Sequence, residues 1–243
     1  MAALLFAGIM AASLAGCSSK PAETTAAATE AETTAAESAS EESSAEETKA
    51  AADIETVTPG KLTVATSPDF APYEFYAIGE DGTPKLAGFD MDLAQYIADY
   101  LGLELEVVTV DFDGVISELQ TKSVDLGMAG LSPDEKRMGI MDFSDLYYMG
   151  GQSLVTVKDN AEKYNSFEAI NKPDVSVGAQ VGSIQMDLAN ENSPEADIVG
   201  LPKVTDIISE LLTGKMDAAY IETDVAKSYQ KNYPELTLVM DVP

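Results

Sequence analysis

The chain has 243 residues, 45% of them hydrophobic and 23% charged, which is enough for one large or two small domains with their own cores. Fourteen basic against 42 acidic residues give a formal charge of −28, so phosphate backbones are repelled and no nucleic-acid partner is expected. Histidine is absent and Cys17 is the only cysteine, which excludes imidazole catalysis, a Ser-His-Asp triad, a histidine or cysteine metal site and an internal disulfide; neither a metal nor a cofactor is expected.

Residues 2–16 (AALLFAGIMAASLAG) form an apolar run of signal-peptide length, too short to span a bilayer at about 20 residues. The run ends in Leu14-Ala15-Gly16-Cys17, followed by Ser18-Ser19. That pattern resembles the bacterial lipobox, in which the signal is cut before the cysteine and the new N-terminal Cys17 receives lipid; the competing reading is a chance cysteine behind an ordinary signal. No Lys or Arg precedes the run, so a start codon further upstream is expected. Residues 18–56 are Ala, Thr, Ser and Glu, with ten acids and two lysines. Such a stretch cannot bury enough surface to offset its ordering entropy and reads as a disordered tether. Subtracting its −8 from −28 leaves −20 on the remainder, which is acidic in its own right.

Beyond Pro59-Gly60 the pattern alternates between strands and helices. Residues 61–66 (KLTVAT) read as a strand, and 88–101 as an amphipathic helix with Phe89, Leu93, Ile97, Tyr100 and Leu101 at spacings of three and four. Residues 103–110 read as a strand, 114–122 as a short helix with Val115, Ile116 and Leu119 inward, and 124–129 as a buried strand. Ser132-Pro133-Asp134-Glu135 has the form of a capping box with proline at the first helical position. A second series gives strands at 153–157, 175–179, 198–201 and 217–221, and helices at 183–191, 204–213 and 223–229. This alternation predicts an α/β fold with mainly parallel sheets. Residues 119–125 (LQTKSVD) recur loosely as 212–217 (LTGKMD), an echo that two similar α/β lobes would produce.

Ligands in open α/β sheets bind at the carboxyl ends of strands, so the residues following Thr66, Ala129, Ala179 and Ile221 are the candidates. Arg137 is the only arginine beside thirteen lysines, and its planar fork can hold a carboxylate with two parallel bonds. Its competing reading is a capped helix whose arginine pairs with Asp134 or Glu135. Glu222 ends a strand of the second series and could accept the ammonium of a zwitterion whose carboxylate sits on Arg137; it reads equally as a loop acid or a helix cap. Phe70 and Phe112 follow strands and could sandwich a side chain, or belong to the core. Ser183 offers a hydroxyl to the same carboxylate, or is a simple N-cap.

At Gly88-Phe89-Asp90-Met91-Asp92-Leu93 the chain resembles the bacterial extracellular solute-binding proteins for polar amino acids, which serve ABC importers. The matching features run in family order: Phe70-Ala71-Pro72-Tyr73-Glu74-Phe75, Asp111-Phe112-Asp113, Met128-Ala129-Gly130-Leu131-Ser132, Glu135-Lys136-Arg137 and Asp142-Phe143-Ser144, then Val181-Gly182-Ser183 and Met216-Asp217-Ala218-Ala219. The resemblance implies a two-lobed α/β fold of the type II periplasmic-binding-protein kind, with lobe 1 at residues 57–150 and lobe 2 at 151–243, behind a lipoprotein signal at 1–17 and the tether at 18–56. It implies that Arg137, Ser132 and the backbone of Gly130 hold the ligand carboxylate, joined by Ser183 from lobe 2. Glu222 matches the acidic position for the α-ammonium, usually an aspartate, and Phe70 and Phe112 match aromatic positions around the ligand side chain. Members for basic amino acids often carry an acid where this chain has Ser67, so the resemblance does not support cationic specificity, while Asp69, two positions away, keeps that question open. Ser67 and Asp69 both stand as candidates beside the ligand side chain. Members also continue for several tens of residues past this point, so a chain cut short of its return to lobe 1 is expected.

The implied function is that of a monomeric, non-enzymatic receptor, lipid-anchored through Cys17 at the outer face of the cytoplasmic membrane. It would close about a hinge on a free amino acid and present it to an ABC permease. Two other readings stand beside it: a receptor that reports ligand occupancy to a signalling partner, and a dehydratase-like enzyme on the same fold.

Overall fold

Strand β1 (Lys61–Thr66) is buried along all but its first residue, as a parallel strand covered on both faces must be. The computed structural model describes residues 54–243; the apolar leader, Cys17 and the acidic segment up to residue 53 lie outside the described residues. β1 is the centre of a three-stranded parallel sheet, flanked by β5 (Glu104–Thr109) and β6 (Leu126–Gly127). Between β1 and the first helix lies an antiparallel meander of β2 (Asp69–Phe70), β3 (Glu74–Ile78) and β4 (Pro84–Ala87).

Parallel neighbours need crossovers, and two helices supply them. Helix α1 (Phe89–Leu101) sets Met91, Ala94 and Ala98 against Leu62, Val64 and Met128, while α2 (Phe112–Gln120) sets Val115 against Ala65, Val124 and Ala129. Successive residues of a strand face opposite sides, so Val64 and Ala65 each receive one helix. The buried stripe of α1 differs in part from the sequence expectation. Leu93 and Ile97 pack against the core as expected, but Phe89 and Tyr100 are exposed, and the buried contact is made by Met91 and two alanines, whose small side chains let the helix axis approach the sheet. The strand expected at 124–129 pairs only at Leu126 and Gly127, although Val124, Met128 and Ala129 around it are buried.

Residues 128–151 lead away from this sheet and carry the four-residue α3 (Glu135–Met138). The rest of the chain builds a five-stranded sheet in the order β11-β7-β10-β8-β9. In it β8 (Ser176–Gln180), β9 (Asp197–Leu201) and β10 (Ala218–Glu222) are parallel. β7 (Gln152–Val157) runs antiparallel to β10, and β11 (Leu236–Val242) antiparallel to β7. A single turn, α4 (Phe167–Ile170), precedes β8, and α5 (Ile184–Asn192), α6 (Val204–Leu212) and α7 (Thr223–Asn232) connect the later strands. In α6, Val204, Ile207, Ile208 and Leu211 recur at helical spacing and pack on Val155, Ala219 and Ile221. Side chains buried this fully contribute roughly 1.5–3 kcal/mol each.

The sequence echo has a structural basis. Asp125 accepts from Thr63 N at 2.8 Å and returns its own N–H to Thr63 O at 2.9 Å. Asp217 accepts from Ser176 N at 3.0 Å and returns its N–H to Ser176 O at 3.0 Å. One acid thus braces the start of a buried strand against its neighbour in each sheet. The turn before each brace is left-handed, with φ 57° at Lys122 and 71° at Gly214.

A side-chain-bearing residue pays about 1–2 kcal/mol in that region, part of which glycine's unfolded-state entropy takes back. Lys122→Gly is therefore expected to stabilise the protein by about 0.5–1 kcal/mol, read as a higher urea midpoint at unchanged m-value. A lower midpoint would mean that the lysine side chain outweighs its backbone.

Candidate functional site

The carboxyl ends of strands from both sheets converge on one cavity of about 130 Å³. At about 30 Å³ per water in the liquid, this is room for the centres of several waters, the scale of a small-molecule ligand. Phe70, Phe112, Gly130, Ser132 and Arg137 line it from the first sheet unit, and Gln152, Gln180, Gln185 and Glu222 from the second.

Arg137 is held from its own helix. Asp134 is the N-cap of α3, its Oδ1 accepting from Arg137 N at 2.8 Å while its Oδ2 lies 3.2 Å from Arg137 Nε. The capping residue is Asp134 rather than Ser132, and Pro133 precedes the helix; the extended Asp134 backbone puts its carboxylate over the free N–H groups. Nη1 donates to Ser132 O at 2.8 Å, and Nη2 donates across the cleft to Gly182 O at 2.9 Å. The guanidinium carbon lies 5.6 Å from the Phe112 ring centroid. Burial lowers the pKa of this side chain, but a guanidinium stays protonated at any physiological pH. Nη1 and Nη2 each use one N–H on a carbonyl and Nε faces Asp134, so of the five N–H groups one on each Nη has no acceptor among the described residues.

Glu222 is buried at the junction of β10 and α7. Its Oε2 caps α7 by accepting from Val225 N at 2.8 Å, and its Oε1 accepts from Tyr73 OH at 3.3 Å, from the opposite sheet unit. Burial raises its carboxyl pKa, with the bond from Val225 acting against the shift. Burial and the neighbouring Glu222 push the Tyr73 hydroxyl upward, so it remains a donor.

The Gly130 turn has φ 57°, and a Cβ there would stand 2.9 Å from Phe70, so glycine lets the ring lie on the backbone. Its N–H donates to Asp90 Oδ2 at 3.0 Å, and Tyr147 OH donates to Asp90 Oδ1 at 3.0 Å. Asp90, buried at the start of α1, ties the Gly130 turn to the segment leading into β7.

The cavity therefore brings together Arg137, Ser132, Gly130, Glu222, Phe70 and Phe112. The other three candidates lie elsewhere. Ser183 caps α5, accepting from Met186 N at 3.3 Å and donating to Gln180 O at 2.7 Å, and does not line the cavity. Ser67 and Asp69 line a separate opening with Asp111 and Lys203. Sequence reasoning did not assign Tyr73, Tyr147, Tyr148 or the glutamines Gln152, Gln180 and Gln185. Tyr73 lies within one of the family motifs, and Gln180 follows Ala179 at the carboxyl end of β8, which is the available signal; Gln152 opens β7 and carries none.

Residues 62–237 match the bacterial extracellular solute-binding proteins, family 3. The chain is 35% identical over 178 residues to the arginine-binding extracellular protein ArtP of Bacillus subtilis (strain 168), covering 72% of this chain and 66% of that one. It is 29% identical over 180 residues to the cyclohexadienyl dehydratase of Pseudomonas aeruginosa, covering 74% and 66%. Both curated relatives are thus spanned over 66% of their length. Among solved structures, an amino acid ABC transporter substrate-binding protein, AbpA, from Streptococcus pneumoniae bound to L-arginine superposes with a TM-score of 0.71 at 37% identity, covering 74% of this chain and 75% of that one. The fold is accordingly two-lobed α/β of the type II periplasmic binding kind.

Behind the cavity, Glu74 on β3 is fully buried and neither carboxyl oxygen has a partner. Burial, then Asp90 and Asp69, push its pKa well above the ordinary value of 4.5. The folded state therefore holds a proton that the unfolded chain releases, and Glu74 costs stability as pH rises from about 4.5 toward its raised folded value. Glu74→Gln removes that dependence. Its stability relative to wild type is expected to improve between pH 5 and pH 8, with a slope of at most about 1.4 kcal/mol per pH unit in urea melts. Parallel pH profiles for the two proteins would contradict this.

Proposed function

As a chain that belongs to the bacterial extracellular solute-binding proteins, family 3, this protein is, we propose, the lipid-anchored receptor of an amino-acid importer. It closes on a free amino acid and carries out no chemistry on it. The observation that carries the reading is the presence of one buried guanidinium and one buried carboxylate, from opposite lobes, on a single cavity of amino-acid size. A zwitterion offers the complementary pair. Its carboxylate takes the two remaining N–H groups of Arg137, with Ser132 and the Gly130 turn beside it, and its ammonium faces Glu222. Phe70 and Phe112 flank the side chain. Arginine is the first candidate ligand, because ArtP and AbpA are described as arginine binders.

Closure follows from differential contact. In the open form Arg137 belongs to lobe 1 (residues 57–150) and Glu222 to lobe 2 (151–243), and a ligand can touch both only when the lobes meet. The closed shape is what a permease recognises. Cys17 carries the lipid, and residues 18–56 hold the monomer clear of the outer face of the cytoplasmic membrane.

A second reading has one observation in its favour. Glu222 is a carboxyl raised by burial in the cavity, the property of a general acid, and a cyclohexadienyl dehydratase is among the relatives. Both of its oxygens are already engaged, by Val225 N and Tyr73 OH, which favours the binding role. Absence of turnover of prephenate, a cyclohexadienyl acid, is expected.

Calorimetry with arginine on the purified protein is expected to give micromolar or tighter binding. Arg137→Ala should weaken it by at least about 30-fold, since an ion pair across a buried site loses about 2–5 kcal/mol when one partner is truncated, and Arg137→Lys should also lose more than about tenfold. Unchanged affinity in Arg137→Ala would remove the assignment.

A further inference from the structure

Helix α6 begins without a cap of its own. Its N-cap residue, Lys203, supplies no side-chain acceptor, and the first N–H groups of a nine-residue helix need one. The acceptor comes from the other lobe: Asp69 Oδ2 on β2 accepts from Val204 N, 135 residues away in sequence. Ser67 Oγ donates to Asp69 Oδ1 at 3.1 Å and fixes the carboxyl in place. The main-chain carbonyl of Asp69 accepts from Tyr229 OH on α7 at 2.7 Å. Beside them Lys203 pairs with Asp111 at 3.6 Å, again between the lobes. One residue of a two-residue strand thus holds two helices of the opposite lobe, away from the cavity that contains Arg137 and Glu222.

We infer that Asp69 is an inter-lobe latch, a positioning residue that retains ligand by capping α6 across the cleft and does not touch the ligand. The inference rests on the receptor reading and adds a residue to it. Opening the lobes breaks both the Val204 and the Tyr229 bonds, so these contacts exist only in the closed form and their free energy enters the closing equilibrium. A smaller closed fraction weakens every ligand by the same factor, whatever its side chain. The bond needs an acceptor oxygen rather than a charge. Burial already raises the Asp69 carboxyl pKa, and asparagine supplies the same oxygen at the same reach. A residue that instead contacted a cationic ligand side chain would lose arginine selectively and would not be replaceable by asparagine.

The test measures binding and dissociation of L-arginine and L-glutamine by stopped flow on wild type, Asp69→Ala, Asp69→Asn and Tyr229→Phe. Asp69→Ala is expected to speed dissociation of every ligand that binds by a common factor of about ten, with association changed less than threefold. Asp69→Asn is expected to stay within about threefold of wild type. Tyr229→Phe, which leaves Asp69 intact, is expected to speed dissociation several-fold. Loss of arginine alone in Asp69→Asn overturns the latch in favour of ligand contact, and wild-type dissociation rates in both Asp69→Ala and Tyr229→Phe overturn it outright. Should wild type bind neither these two nor any other of the twenty amino acids, the receptor reading fails. The latch is then read by small-angle scattering, where Asp69→Ala should have a larger radius of gyration than wild type and an equal radius overturns it.

Discussion

A guanidinium taken out of water keeps its charge, so each of its N–H groups must meet an acceptor or the fold loses free energy. Arg137 imposes that constraint on this molecule, and much of the first lobe answers it. Asp90 holds the Gly130 turn, the turn carries the chain to Ser132 and Asp134, and Asp134 both caps α3 and faces Arg137 Nε. Phe112 closes one face of the guanidinium, and Gly182 approaches from the second lobe. What these neighbours leave unmet defines what the cavity can accept.

The acids around the cleft follow a complementary rule. Asp69, Glu74, Asp90 and Glu222 are all pushed toward the protonated form by burial, but they differ in what meets them. Glu222, Asp90 and Asp69 each accept from a backbone N–H, of Val225, Gly130 and Val204 respectively. Those bonds favour the ionised form and keep the carboxylate oriented. Glu74 has no such donor. A carboxyl beside a donor can serve recognition or closure, whereas one without a donor is a cost the fold carries.

Legibility in the sequence divided along the range of the interactions. Helix α6 was readable because Val204, Ile207, Ile208 and Leu211 repeat at helical spacing, and their neighbours along the chain decide their fate. The face of α1 was misjudged because hydrophobicity draws attention to Phe89 and Tyr100, while the sheet selects Ala94 and Ala98 for closeness of approach. The cap of α3 went to Asp134 rather than Ser132, a choice between two competent side chains that backbone direction settles. At the site, Arg137 was legible as the single arginine of the chain, whereas Glu222, one acid among 42, stood out only through the family resemblance. The position of Asp69 was not legible, because its partner Val204 lies in the other lobe and no local pattern records a contact over 135 residues. Tyr73 was invisible as a site residue for the same reason, its hydroxyl reaching Glu222 across 149 residues.

Those tyrosines have an optical consequence. The chain has no tryptophan, so its near-ultraviolet emission comes from tyrosine alone. Tyr73 donates to Glu222 and Tyr148 donates to Asp224, and the two rings meet edge to face at 5.4 Å. Moving the lobes apart takes the Tyr73 phenol from a carboxylate into water, which changes its excited-state environment without any added dye. The molecule carries a built-in spectroscopic gauge at the mouth of its own cleft.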